Sequence, residues 1–421
     1  MGFASTYLKE RTLYPKLIGE APHRDTGIIV VVPSCNEPSI TNLLDSLASC
    51  AEPACATEVI IVVNSPAGAG PDVRNANIAT LNETAEWKIR NPRSFLKLYT
   101  IDADTSQFCK WGVGMARKAG MDEALRRFDE LERPDGIILN IDADCTVENN
   151  YFTEVYGGIP AGGNRSACSI YFEHPLEGKE FPQAVYRAIA QYELHLRYYY
   201  QGLCFAGFPN VHHTVGSAIA VKAMAYLKSG GMNRRMAGED FYFIQKLVSA
   251  GGYFNLNSTT VYPSPRPSAR VPFGTGPTIF RLAESNSGEL MTYNTDAFRE
   301  LRAFFCMTDS FYNTSNNENH YLYNELPESV RLFIEIEEWN RAICEIKGNT
   351  ASLKSFRKRF YDWFNMFRIV KYMNFAHEDI MKKKPVVESA LELLNESGHD
   401  FYSGDPVALL NFYRSLEKGY L

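Results

Sequence analysis

No run of about 18 apolar residues occurs in this sequence, so no membrane-spanning helix is expected; Gly27 to Val32 is only strand-sized. None of the nine cysteines forms a CxxC pair, their number is odd and their spacing is scattered. That pattern argues against a zinc site or a disulfide frame and predicts reduced, mostly buried thiols in a cytosolic protein. Positive charge is not in excess. Forty-three Lys+Arg against 49 Asp+Glu leave a net charge of −6, which disfavours a nucleic-acid-binding surface. Residues 1–16 lack a charged stretch followed by an apolar one, so no secretory leader is expected. Internal repeats and low-complexity tracts are also missing.

What is present is the composition of a core-forming chain. Its 421 residues are 45% hydrophobic and 13% aromatic, enough for two domains or one large domain with an appendage. The β-branched runs Gly27–Pro33 and Glu58–Val63 read as strands buried on both faces, with further strands at Phe95–Ile101 and Gly136–Ile141. Helices are predicted over Ser39–Ser49, around Ile78–Ile89 and over Val113–Leu131. This alternation implies right-handed βαβ units and a parallel sheet, whose ligands sit at the C-terminal strand ends. Pro33–Glu37, Asn64, Asp102–Asp104 and Asp142–Asp144 all fall at such ends. Four prolines in Pro263–Pro272 mark an irregular loop. Beyond about Phe280 the pattern is helical, with Val330–Ile346, Leu353–Phe375 and Val386–Leu394 as single helices. The expected organisation is an N-terminal segment 1–24, an α/β domain 25–279 and a helical region 280–421.

Several residue groups can carry chemistry. Asp142-Ala143-Asp144 follows a buried strand, and residues i and i+2 on an extended end face one way, so both carboxylates can address one Mg²⁺ or Mn²⁺ ion. The plainer alternative is a pair of solvated strand-end acids. Gly238-Glu239-Asp240 opens a helix, where acids ordinarily complement the dipole but where one can also serve as general base. Lys110, Gly112 and Arg117 put cations and a glycine at another helix start, suited to a phosphate; Arg266 and Arg270 can neutralise a departing diphosphate or be plain loop arginines. His212-His213 cannot easily bind one metal, because neighbours on a strand face opposite ways. Lys354 to Lys384 interleaves aromatic and basic residues. It reads as an amphipathic helix packed on the core or, alternatively, as a peripheral contact with an anionic membrane.

Taken in order, these pieces resemble the family 2 glycosyltransferases of GT-A fold. The matching elements are Val30-Val-Val-Pro33-Ser34-Cys-Asn36-Glu37, Val59–Ser65, Lys110-x-Gly112-x-Gly-x-Ala-Arg117-x-Ala-Gly120, Asp142-Ala143-Asp144, Val215-Gly216-Ser217-Ala218, Gly230-Gly231-Met232-Asn233 and Gly238-Glu239-Asp240. The resemblance covers about residues 25–275. It implies a Rossmann-like, mostly parallel sheet flanked by helices, and hexosyl transfer from a UDP- or GDP-sugar to an acceptor hydroxyl. By resemblance, Pro33, Ser34, Asn36, Glu37 and Asn64 line the nucleoside pocket, joined on the donor by Lys110, Gly112, Arg117, Asp142 and Ala143. Asp142 and Asp144 would hold Mn²⁺ or Mg²⁺. Gly216 and Ser217 would lie on the acceptor side, and Asp240 with Glu239 would be the catalytic pair of an inverting reaction. Asn64 stands where the family usually has an acid, and the Gln-x-x-Arg-Trp element of processive synthases is absent, which points to a non-processive enzyme. The competing readings are a catalytically silent nucleotide-sugar-binding scaffold and a sugar-phosphate nucleotidyltransferase; the latter would begin with a Gly-rich loop that is not found after Val32.

Overall fold

The computed structural model describes residues 2–66, 68–92, 94–103, 112–159, 163–235, 238–268, 274–285, 288–315 and 319–420. A short helix α1 (Ser5–Glu10) precedes β1 (Thr26–Ser34). Then come α2 (Thr41–Ala48), β2 (Ala56–Asn64), α3 (Pro71–Arg90), β3 (Leu96–Ala103), α4 (Val113–Glu130) and β4 (Ile137–Asn140). Next are β5 (Thr146–Val147), α5 (Tyr151–Gly158), β6 (Ala167–Phe172), α6 (Gln183–Phe205), β7 (Ile219–Lys222), α7 (Ala223–Lys228), α8 (Glu239–Ala250) and β8 (Tyr253–Tyr262). The remainder holds α9 (Thr275–Glu284), β9 (Met291–Thr292), α10 (Thr295–Cys306), α11 (Thr308–Asn313), α12 (Asn319–Asn324), α13 (Glu328–Phe333) and α14 (Ile336–Gly348). It ends with α15 (Leu353–Trp363), α16 (Met366–Asp379), β10 (Lys384–Pro385), α17 (Val386–Glu396) and α18 (Pro406–Lys418).

The chain divides into two compact units, Met1–Gly178 with Thr214–Pro277 and Lys179–His213 with Thr278–Leu421. The sequence reading ran 25–279 as one domain; α6 within that span packs with α17 and α18 in the second unit. Segment 1–24 packs within the first.

The first unit is built on an eight-stranded sheet of order β3-β2-β1-β4-β7-β6-β8-β5. β3, β2, β1 and β4 pair in parallel, as do β6 and β8, whereas β7 and β5 run antiparallel to their neighbours. This is the mostly parallel, helix-flanked sheet with a helical C-terminal region that the sequence predicts. Every residue of β1 is buried, as a strand covered on both faces requires. The sheet also buries charge. Glu58 of β2 and Arg127 of α4 are fully enclosed, with Arg127 Nε 2.5 Å and Nη2 2.9 Å from the carboxylate, while Nη1 donates to the Glu20 carbonyl at 2.8 Å. Removing one member strands the other charge. Arg127→Ala is therefore expected to lower unfolding stability by about 3–5 kcal/mol in a urea titration, and a loss under 1 kcal/mol would show the pair to be dispensable.

Helix α3 contains the helix read around Ile78–Ile89 and begins earlier, at Pro71. Its inward stripe is Asn77, Thr80, Thr84 and Trp87, whereas Ile78 is 55% exposed and Ile89 78%. The stripe buries because its polar atoms are bonded: Thr84 Oγ1 donates to the Thr80 carbonyl and Trp87 Nε1 to Asp45. In the second unit, the single helices read over Val330–Ile346 and Leu353–Phe375 are each two. Ile334 is extended between α13 and α14. Asn365 accepts from the backbone N–H groups of Phe367 and Arg368, starting α16 afresh. Phe356, Phe360, Phe364 and Met373 are buried there and Arg357, Lys358 and Arg359 are exposed, the packed amphipathic arrangement. A second buried ion network lies on α6, where Glu193 takes Arg197 and Arg414, and Glu417 takes Arg197 and His213. His213 also stacks on Tyr200 with ring centroids 4.5 Å apart. The eight described cysteines are free. Cys204, Cys306 and Cys344 are exposed, against the expectation of mostly buried thiols. Among the described residues no helix is long and apolar enough to cross a membrane.

Candidate functional site

The carboxyl ends of β1, β2 and β4 share one edge of the sheet. Because β7 runs the other way, its entry turn, Gly216-Ser217, reaches the same edge; the loop after β8, carrying Arg266, does so too. β1 ends at Pro33 and Ser34, both buried, and the chain then turns through Asn36 in the left-handed region (φ +51°), which asparagine tolerates better than most side chains. Asn77 of α3 fixes this turn. Its side-chain oxygen accepts from the Asn36 N–H at 2.9 Å, while its amide nitrogen donates to the Asn64 carbonyl and the Ser65 hydroxyl, both at 2.8 Å. One buried amide thus ties the ends of β1 and β2 together. Sequence reasoning missed Asn77, since its neighbours in sequence gave no apolar rhythm to place it.

Two arginines organise the acids. Arg117 on α4, 4% exposed, donates to Glu239 through Nη1 and to Asp142 Oδ1 at 2.6 Å through Nη2. A Cβ at residue 216 would stand 2.6 Å from this guanidinium, so glycine is needed for the Gly216 backbone to pass it. Arg266 grips Glu37 bidentately, both contacts at 2.8 Å, and reaches Asp144 Oδ2 at 3.2 Å. Asp240 sits beside Glu239 on the first turn of α8. Burial first, then repulsion from Glu239, pushes its carboxyl up to about 6, with Arg117 pulling the other way. Ala143 and Ser217 are buried, the latter beside the Cys145 thiol, which burial raises well above its ordinary range.

The structure therefore brings together Pro33, Ser34, Asn36, Glu37, Asn64, Arg117, Asp142, Ala143, Asp144, Gly216, Ser217, Glu239 and Asp240 on one sheet edge. Gly112 caps α4 at the head of the helix that delivers Arg117. Lys110 and Arg270 lie outside the described residues. Among the described residues no cluster of three or more His, Cys, Asp or Glu could by itself hold a metal ion.

No family profile and no curated protein matches the sequence. Among solved structures, it is similar to S. aureus TarS residues 1–349 in complex with UDP-GlcNAc, at 14% identity and a TM-score of 0.39 over 80% of this chain and 91% of that one. It is also similar to the mannosyltransferase PcManGT from Pyrobaculum calidifontis in complex with GDP-Man and Mn²⁺, at 13% identity and 0.36, covering 99% and 92%. GalNAc-T7 with UDP, GalNAc and Mn²⁺ gives 12% and 0.39, covering 83% and 59%.

Proposed function

We propose that the first unit is a non-processive, family 2-like glycosyltransferase domain of GT-A type that moves a hexose from a UDP- or GDP-sugar to an acceptor hydroxyl. The observation that carries this reading is the Arg117 bridge. One buried cation joins the strand-end acid Asp142 to Glu239, next to a carboxyl poised near 6. A strand-end acid pair and a base of raised pKa, held in one rigid frame, suit transfer at a centre placed between them. On this reading the donor lies over Pro33–Glu37 and Asn64, with its diphosphate toward Asp142 and Asp144. Asp240 takes the acceptor proton as the new glycosidic bond forms and the anomeric bond to the diphosphate breaks, with inversion. Arg266, released from Glu37 or Asp144, can follow the negative charge onto the departing nucleotide.

The donor set also fits a divalent ion. Two hard carboxylates two residues apart, with no third protein ligand among the described residues, match a cation whose shell is completed by diphosphate oxygens and water. Asp142 and Asp144 would hold it, and when bound it would offset charge on the leaving diphosphate. Calorimetric titration of UDP, GDP and their sugars, with and without Mn²⁺, tests the assignment. One nucleotide is expected to bind only with metal, and Asp144→Ala to abolish that binding. Equal donor affinity in the variant would remove Asp144 from the metal site, no nucleotide binding in the wild type would count against the glycosyltransferase reading, and metal-dependent donor binding without turnover would mark the silent scaffold.

A further inference from the structure

A cavity of about 230 Å³ in the first unit is lined by Glu10, Arg11, Lys118, Gly230, Asn233 and Arg234. Its buried cation is Lys118, whose side chain is only 4% exposed and whose ammonium lies 2.9 Å from Asp122 and donates to the Tyr7 hydroxyl at 3.0 Å. Asp122 in turn accepts from Tyr7 at 2.8 Å and from Tyr226 at 2.7 Å. The wall is equally constrained. Gly231 has φ +73°, and a Cβ there would fall 1.8 Å from the Tyr7 oxygen, so the segment after α7 is shaped to pass this cluster. Burial lowers the Lys118 pKa, Asp122 raises it, and Arg234 and Lys246 lower it further, which places two more cations within electrostatic range. Arg11 and Arg234 are exposed, and among the described residues their guanidinium groups have no ion-pair or hydrogen-bond partner. Glu10 is the one acid on the lining; Asp122 is already occupied by two phenols and an ammonium.

Lys118 is offset locally by Asp122, so the free charge at the hollow is that of the Arg11 and Arg234 guanidinium groups. Like charges round a polar hollow repel each other, and a multiply charged anion relieves that repulsion. We propose that this cavity binds a phosphate-bearing anion, a phosphomonoester or pyrophosphate group, at a place separate from the sheet-edge site. The binding does not depend on the transferase reading. A route to the proposed base is present: Asn233, on the cavity wall, donates its side-chain amide to the Glu239 carbonyl at 2.8 Å, and the Arg235 carbonyl packs where a Gly114 side chain would begin. Occupancy of the cavity therefore bears on the turn that presents Glu239 and Asp240.

The test is calorimetric titration of the full chain with sodium pyrophosphate, no nucleotide or metal present, on wild type, Arg11→Gln/Arg234→Gln and Asp144→Ala. Expected are saturable binding that weakens with added salt, a loss of at least about ten-fold in the double variant, and no change in Asp144→Ala. Both arginines are exposed, so the double variant folds. Absent binding, equal binding in the double variant, or loss in Asp144→Ala would each overturn the site, the last by placing the anion at the sheet edge. A transfer assay then separates the two sources of such an anion: inhibition competitive with acceptor places an acceptor phosphate in the cavity, whereas a non-competitive effect assigns it to a free effector.

Discussion

Asp240→Asn is expected to bind donor as tightly as the wild type and to transfer sugar about 10²–10⁴-fold more slowly, because only the group that takes the acceptor proton has been removed. The pH profile gives an independent check. With the Asp240 carboxyl at about 6, the wild-type rate should rise through that pH and level off above it. The sign also predicts a stability effect. A carboxyl whose folded pKa lies above its unfolded value favours folding at low pH, and that contribution is lost as pH rises from the ordinary carboxylate range through 6. The asparagine variant should accordingly be no less stable than the wild type above pH 6. Full transfer activity in Asp240→Asn, with the acid limb still in place, would move the base elsewhere.

Arg117→Met is the second large effect, and it acts on fold and site together. Methionine keeps much of the volume but leaves Glu239, 2% exposed, and Asp142 without their shared cation. Breaking a buried pair by removing one partner costs about 3–5 kcal/mol, which a denaturant titration reads directly. Arg117 also pulls the Asp240 carboxyl down, so the acid limb of the rate profile should move to higher pH in whatever fraction remains folded. Lysine cannot substitute, because it lacks the planar fork that reaches two acids at once. If unfolding midpoint and acid limb both stay where they are in Arg117→Met, the bridge has no part in holding the site.

How much of this was legible in the chain depends on whether a residue's fate is decided locally. β1, β2 and β4 were, because a continuous β-branched run flanked by turn residues suits little else. Glu37 and Asp142 could be placed on one edge for the same reason, since each directly follows a legible strand, whereas Asp240 joined them only through the family resemblance. The arginine assignments needed the fold. Nothing near Arg266 announces a bidentate partner 229 residues away, and Arg117 reads as a phosphate ligand until α8 is seen beside it. The inward stripe of α3 defeats pattern reading altogether. An apolar rhythm locates a buried face only when burial is bought with apolar atoms, and there it is met by hydrogen bonds instead.

Helix α4 is enclosed nearly all round, and the first 24 residues supply much of that enclosure. Asp129 receives the Ala4 N–H at 2.6 Å, Glu123 receives those of Leu17 and Ile18, and Arg127 donates to Glu20, all on the helix whose first turns carry Arg117. Residues 2–24 behave as a splint bound lengthwise along the beam that holds the acids. Trimming the protein to Asp25, a natural choice from the sequence boundaries, would bare Asp122, Glu123 and Arg127 at once and loosen the helix on which Asp142 and Glu239 depend. Tags and fusions for the experiments above therefore belong at the far end of the chain, after α18.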